Sequence, residues 1–323
     1  MKSTAYKTIA FLCIIGAMGT VVSCKSLNKH KPAANITVQE STDNDIPEGY
    51  ELPLPEIPDS IVDPQERAGV LLKHFWDGCD FTDTERSLDP DFIEINFVNF
   101  INVFPYAGDE DVRQAVANLI SAAQVDESVL GLVAETAESY LYDPNSPYLS
   151  EDYFIVFLEQ LLQSPVLEEY QKLRYEMMLK AALKNRPGTM AADFSFTDRK
   201  GRVRSLRATP VSDLLLLIFY DPDCESCREV ISYLSHNEAV SELISDGILK
   251  VLAIYSGGDR ELWESTSVIP EEWTDGFDTG RISNENLYIL RASPTLYLLD
   301  NNKTVLQKDL QPAMVVPYIN SLL

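Results

Sequence analysis

Seven consecutive apolar residues, Leu214 to Tyr220, stop abruptly at Asp221-Pro222-Asp223. Such a run suits a strand buried on both faces, and so a sheet with helices on either side. Directly behind it stand Cys224-Glu225-Ser226-Cys227, followed by Val230, Ile231 and Leu234 at helical spacing. The C-x-x-C spacing puts both sulfurs on the first turn of that helix, within disulfide reach. A helix N-terminus carries about half a positive charge and unsatisfied N–H groups, and both favour a thiolate. Cys224 is therefore expected to be the exposed nucleophile. Cys227, one turn in and more buried, is expected to resolve the mixed disulfide.

The surrounding pattern fits such a sheet. Phe194 to Thr197, the turn Asp198-Arg199-Lys200-Gly201 and Val203 to Leu206 read as a hairpin. Further strands are predicted at Ile248–Tyr255, Thr295–Leu299 and Val305–Lys308, and helices around Leu262-Trp263, at Glu285–Leu290 and at Ala313–Leu323. The stretch from Trp263 to Gly280 shows no regular period. Strands alternating with helices predict an α/β domain with a mixed central sheet over residues 188–323.

Upstream the period is helical. Asp63-Pro64-Gln65-Glu66 offers a cap, a proline for the first turn and an acid at the third position. Ala68, Leu71, Leu72, Phe75 and Trp76 follow at helical spacing. Asp89-Pro90 and Asp109-Glu110-Asp111 open further segments, with others at Ser128–Leu141, Ser150–Leu162 and Val166–Leu183. About six amphipathic helices predict an all-α domain over residues 63–187 with its own core. Trp76, Phe97, Phe100 and Phe104 read as core aromatics. Residues 24–62, with Pro47, Pro53, Pro55 and Pro58, read as an extended tether.

The first residues carry a targeting pattern. Lys2 and Lys7 precede an apolar run from Ile9 to Val22, relieved only by Gly16, Gly19 and Thr20. It falls short of the about 20 residues a spanning helix needs and fits a secretory signal over residues 1–23. Its end, Val21-Val22-Ser23-Cys24, resembles the lipobox of bacterial lipoproteins, which implies lipid on Cys24 and a chain anchored in the cell envelope. The basic Lys25 to Lys31 stretch has no acidic run after the cysteine, and a domain facing the periplasm is expected. Of five cysteines, Cys79, Cys224 and Cys227 then remain. One close pair in an oxidising compartment reads as redox-active rather than as a stapled scaffold. Without Lys2 and Lys7 the chain holds 24 basic against 50 acidic residues, a net charge of −26. Such a surface repels phosphate backbones, so no nucleic-acid partner is expected.

Ala192-Asp193-Phe194, Asp198 to Gly201, Ser205-Leu206, the apolar strand, the C-x-x-C and Ser293-Pro294-Thr295, in that order, resemble the thioredoxin superfamily. Within it they resemble the membrane-anchored TlpA/ResA-type thiol–disulfide oxidoreductases. The resemblance implies that Pro294 is a cis-proline beside the active site and that Ser293 and Pro294 meet the substrate. It implies no cofactor and no metal. Partners would be disulfide-containing envelope proteins, an upstream thiol reductant and, through Cys24, the membrane. The helical segment resembles a domain of unknown function that precedes thioredoxin-like domains in some envelope lipoproteins.

Three departures from that pattern bear on the chemistry. Asp223 stands where the family has a Trp before the first cysteine, and Ile218 where many members bury an acid. Asp221, Asp223 and Glu225 crowd Cys224, opposed only by Arg228. These acids are expected to keep the Cys224 pKa above that of strongly oxidising C-x-x-C sites and to tilt the couple towards reduction. A peroxiredoxin is disfavoured because Asp221 and Leu217 replace its Thr and Pro. His236, alone in the domain, makes a poor start for a metal site. Cys79 reads as a small packed residue, with a transient exchange with Cys224 as the alternative. The other functional reading is a non-catalytic envelope binding module whose C-x-x-C is structural or redox-responsive.

Overall fold

Side-chain caps start most of the helices. In the computed structural model, which describes residues 49–278 and 280–323, the Asp63 carboxylate accepts the Glu66 N–H at 2.9 Å. That cap and Pro64 begin α1 (Pro64–His74). A single turn, α2 (Thr84–Ser87), leads to Asp89, whose carboxylate caps α3 (Pro90–Ile101). Then come α4 (Asp109–Ala123), α5 (Glu127–Leu141) capped by Asp126, α6 (Glu151–Gln163) capped by Ser150, and α7 (Glu169–Ala182). Their facing stripes enclose a core in which Phe92, Phe97, Phe100, Phe104, Phe154 and Phe157 are fully buried. Ahead of α1, Leu52 is buried and its N–H donates to Asn96 Oδ1 at 2.8 Å. Among the described residues no helix is long and apolar enough to cross a membrane.

Beyond Ala191 the chain builds one seven-stranded mixed sheet. The hairpin is β1 (Ser195–Asp198) and β2 (Val203–Ser205), and the apolar run is β3 (Leu214–Tyr220). Next come α8 (Glu225–Ser235), α9 (Glu238–Ser245), β4 (Leu249–Tyr255), α10 (Arg260–Ser265), β5 (Thr274–Asp278) and α11 (Arg281–Asn284). The chain closes with β6 (Thr295–Asp300), β7 (Val305–Gln307) and α12 (Val315–Leu322). The strand order is β2-β1-β5-β4-β3-β6-β7, with β3 parallel to β4 and antiparallel to β6. β3 is thus central, and every one of its residues is buried. Its pleat splits the core. Leu214, Leu216, Ile218 and Tyr220 pack with Cys227, Ile231 and Leu234 of α8. Leu215, Leu217 and Phe219 pack on the other face with Phe194, Tyr288 and Tyr297. The fold is a helical segment followed by a thioredoxin-like α/β sheet with flanking helices.

Several elements differ from the sequence reading. The stretch expected to be irregular contains β5, whose five residues include Asp275, Gly276 and Asp278 and so hide its strand character. Asp275 is tolerated there because it accepts from Tyr220 Oη at 2.8 Å, Trp263 Nε1 at 3.0 Å and Arg199 Nε at 2.7 Å. The helix expected at Glu285–Leu290 instead occupies Arg281–Asn284, because Asn286 turns the chain out at φ 47°. Asparagine tolerates that left-handed conformation better than most residues. The helix-like spacing of Leu287 and Leu290 comes from both packing against the Phe194 face of the sheet. A helix not anticipated, α9, begins at Asn237, whose side chain accepts the Val240 N–H at 3.2 Å.

Candidate active site

β3 delivers the chain to the site. Where its apolar run ends, Asp221 Oδ1 accepts the Asp223 N–H at 2.9 Å and closes a tight turn. Cys224 follows as the N-cap of α8, its sulfur accepting the Cys227 N–H at 3.3 Å. Cys224 is half-buried and Cys227 fully buried, and both are free thiols. The Ser293–Pro294 peptide bond is cis, and the loop that holds it lies against the first sulfur. Ser293 O is 3.6 Å from Cys224 Sγ and 2.9 Å from Ser226 Oγ, which is itself 3.0 Å from Cys224 Sγ.

This triangle contains too few protons to satisfy every acceptor at once. With Cys224 as a thiol, Ser226 donates to Ser293 O and the sulfur donates into the same pair. With Cys224 as a thiolate, the Ser226 hydroxyl is the donor to sulfur, and Ser293 O loses both partners. Ionisation at Cys224 is thereby tied to the bonding of the Ser293 carbonyl.

The two thiols differ in acidity for different reasons. Burial raises the Cys224 pKa, but hydrogen bonds from Ser226 and Cys227 outweigh it, and the net shift is downward. Cys227 is pushed up to about 12, foremost by burial. Its neighbour Ile218 contributes only apolar surface where an acid would have offered a proton acceptor. The bond from the Asp221 N–H to Cys227 Sγ, at 3.4 Å, opposes the burial without reversing it. After burial, hydrogen bonds rather than the charges of Asp221, Asp223 and Glu225 act most strongly on Cys224. Arg228 is turned away to the backbone, its Nη1 donating to Pro222 O at 2.9 Å.

A family model described as a domain of unknown function, DUF5106, matches residues 23–185. The chain belongs to this family. A crystal structure of a thioredoxin-like protein from Bacteroides caccae is 37% identical, with a TM-score of 0.78, covering 84% of this chain and 98% of its own. The C-terminal domain of an uncharacterized protein from Bacteroides fragilis is 39% identical over 42% of this chain and 98% of its own, with a TM-score of 0.41. A thiol-disulfide oxidoreductase from Bacteroides fragilis is 26% identical over 42% of this chain and 100% of its own, with a TM-score of 0.35. No curated protein matches.

In this DUF5106 protein the structure brings together Cys224, Cys227, Ser293 and Pro294. Cys24 lies outside the described residues. Cys79, in the helical segment, is half-buried, and its thiol is raised to about 11, chiefly by burial. His236 caps the far end of α8, its ring nitrogen 2.8 Å from Ser232 O. Two residues to which the sequence reading gave no role stand out. Ser226 was visible as a hydroxyl inside the motif. Arg291 carried no signal, because its partners Tyr142, Glu151 and Asp309 are distant in sequence.

Proposed function

We propose that the protein is a thiol–disulfide oxidoreductase of the cell envelope that reduces protein disulfides through a Cys224–Cys227 dithiol cycle. The observation that carries this reading is the unequal pair at the head of α8. Cys224 is accessible with its pKa lowered, while Cys227 lies buried behind it at about 12. An attacking sulfur needs to be a thiolate and reachable, and a resolving sulfur needs to be close and protected until it is used.

The cycle balances as follows. Cys224 thiolate attacks one sulfur of a substrate disulfide, the S–S bond breaks, and the first substrate sulfur leaves as a thiolate. The Cys227 proton passes to that departing thiolate as Cys227 attacks, since the apolar Ile218 offers no acceptor. Cys227 then attacks Cys224 Sγ, closing the intramolecular disulfide and releasing the second substrate sulfur, which takes a proton from water. The substrate gains two electrons, the dithiol loses two, and an upstream thiol donor restores it.

The Ser23-Cys24 junction supports attachment through lipid at Cys24, and the basic Lys25 to Lys31 stretch behind it supports a domain facing the periplasm. The Cys227 thiol, pushed up to about 12 foremost by burial, supports the reducing direction, because a dithiol with one thiolate disfavoured is the more readily oxidised. Purified residues 45–323 are expected to reduce insulin with dithiothreitol as electron source, with Cys224→Ser abolishing turnover. Cys227→Ala should trap the substrate as a mixed disulfide. Absence of turnover, with a pair that no thiol donor reduces, overturns this reading in favour of a binding module. Equilibration with glutathione should give a potential below about −150 mV, nearer thioredoxin than the strongly oxidising class.

A further inference from the structure

The segment from Asn286 to Pro294 carries the Ser293 carbonyl to the site, and much of its anchorage comes from the helical segment. Lys184 Nζ donates to Asn286 O, and Asn185 Nδ2 donates to Leu287 O at 2.9 Å. The strongest tie is Arg291, two residues before Ser293. Its side chain is 13% exposed. Its Nη1 donates to Tyr142 O at 2.6 Å, just past α5, and its guanidinium lies 3.9 Å from the Tyr142 ring centre. Its Nη2 pairs with Glu151 Oε1 of α6 at 3.0 Å and with Asp309 Oδ2 at 2.6 Å. Lys308 Nζ completes the cluster on Glu151 Oε2 at 2.7 Å. A planar guanidinium that stacks and pairs on several edges fixes orientation in a way a lysine does not.

We propose that the helical segment acts as a clamp on the active-site loop, with Arg291 as the positioning residue that holds Ser293 O against Cys224 and Ser226. This rests on the reading of Cys224 as the attacking sulfur. Held in place, the carbonyl competes with the thiolate for the Ser226 proton and accepts from the thiol, so it favours the protonated sulfur. Released, it frees Ser226 for the thiolate. The other groups around Cys224, namely Asp221, Asp223, Glu225 and Arg228 beside it and Tyr255 at the end of β4, do not depend on Arg291 for their positions. The loop carbonyl is what the clamp moves.

The test is the pH dependence of iodoacetamide alkylation at Cys224 in the reduced full chain, followed peptide by peptide by mass spectrometry. Arg291→Gln should lower the Cys224 midpoint by about half a unit to one unit, the weight of one neutral hydrogen bond. Lys308→Met breaks the same buried cluster at Glu151 and at the Lys184 carbonyl but leaves Arg291 on Tyr142 and Asp309. It should lower Tm while leaving the midpoint where it was. If Arg291→Gln does not fold, Arg291→Lys and Tyr142→Leu carry the test, each expected to move the midpoint in the same direction by less. An unchanged midpoint in the folded variants overturns the proposal, and so does an equal shift in Lys308→Met. Alkylation needs no turnover, so a protein that fails to reduce insulin sinks the oxidoreductase reading without deciding this one.

Discussion

Replacing Ser226 by alanine removes a side-chain hydroxyl bonded to Cys224 sulfur, and the size of the effect follows from the geometry. In the thiolate, Ser226 Oγ, 3.0 Å from the sulfur, donates its only proton to it. A hydrogen bond to a charged group contributes about 1.5–3 kcal/mol. That proton has a second acceptor in Ser293 O at 2.9 Å, and Cys224 is only half-buried, so the upper part of the range does not apply. A loss of about 1.4 kcal/mol remains, which is about one pKa unit upward. Below the midpoint the thiolate fraction then falls about tenfold. The remaining thiolate is more basic and more nucleophilic, with a Brønsted slope of about 0.4–0.5, which returns about threefold. Alkylation of Cys224 should therefore slow about threefold at low pH and reach a plateau about threefold higher at high pH. The two rate profiles cross.

Iodoacetamide rates measured across the pH range separate this from simple damage. A substitution that merely displaces the loop frees Ser226 from Ser293 O and moves the midpoint down, opposite to the shift expected here. Ser226→Thr keeps the hydroxyl and should stay within about a factor of two of the parent profile if its rotamer still reaches the sulfur. A midpoint that stays put or falls in Ser226→Ala refutes the assignment of Ser226 as the thiolate's donor. It would leave the helix N-terminus as the main stabilising influence, with about 0.3–1 kcal/mol to supply.

Cys79→Ser should leave disulfide reduction and substrate trapping unchanged, because a thiol raised to about 11 is almost wholly protonated at neutral pH. A lost or altered mixed-disulfide band would reopen exchange between Cys79 and Cys224. At Asp198, burial raises the carboxyl, but N–H groups of Arg202 and Lys200 and the Arg204 side chain hold it down to about 2. Its contribution, about 1 kcal/mol at this turn, is present above about pH 4 and lost as the pH falls through the folded value. Asp198→Asn should flatten the acid limb of a stability-versus-pH curve measured by urea unfolding. Gly276→Ala should destabilise by about 1–3 kcal/mol, since an added Cβ would stand 2.8 Å from Ile254 Cδ1 and closer still to the Phe196 ring. A Tm equal to the parent's would show that β5 has room to shift.

The fold was legible wherever one residue pattern had a single structural cause. The β3 run is apolar at every position because both of its faces are covered, and among the described residues no helix imitates that. The Asp63-Pro64 start reads correctly because a cap is local chemistry. β5 was illegible for the opposite reason. Its strand character is carried by partners, and Asp275 is acceptable in a sheet only because Tyr220, Trp263 and Arg199 converge on it from three other elements. Leu287 and Leu290 misled because apolar spacing reports which residues are buried, and Asn286 had already turned the chain out of the helix that spacing suggested.

The same division runs through the site. That Cys224 is the accessible sulfur and Cys227 the protected one follows from position, since a helix opening directly behind a buried strand turns its fourth residue back onto that strand. Ile218 and Cys227 meet on one face of β3 for this reason, and burial there is foremost in pushing Cys227 up to about 12. The acidity of Cys224 was not open to the same argument. Counting Asp221, Asp223 and Glu225 weighs charges by their distance along the chain, whereas a thiolate responds to donors in contact with it. Asp221 spends one carboxylate oxygen on the Asp223 N–H, and the contacts that reach the sulfur are Ser226, Cys227 N–H and the Ser293 carbonyl. One of those three arrives from 69 residues further on. Its place is set by Arg291, whose own partners begin at Tyr142. A property that looks local to a four-residue motif is therefore held from the helical segment.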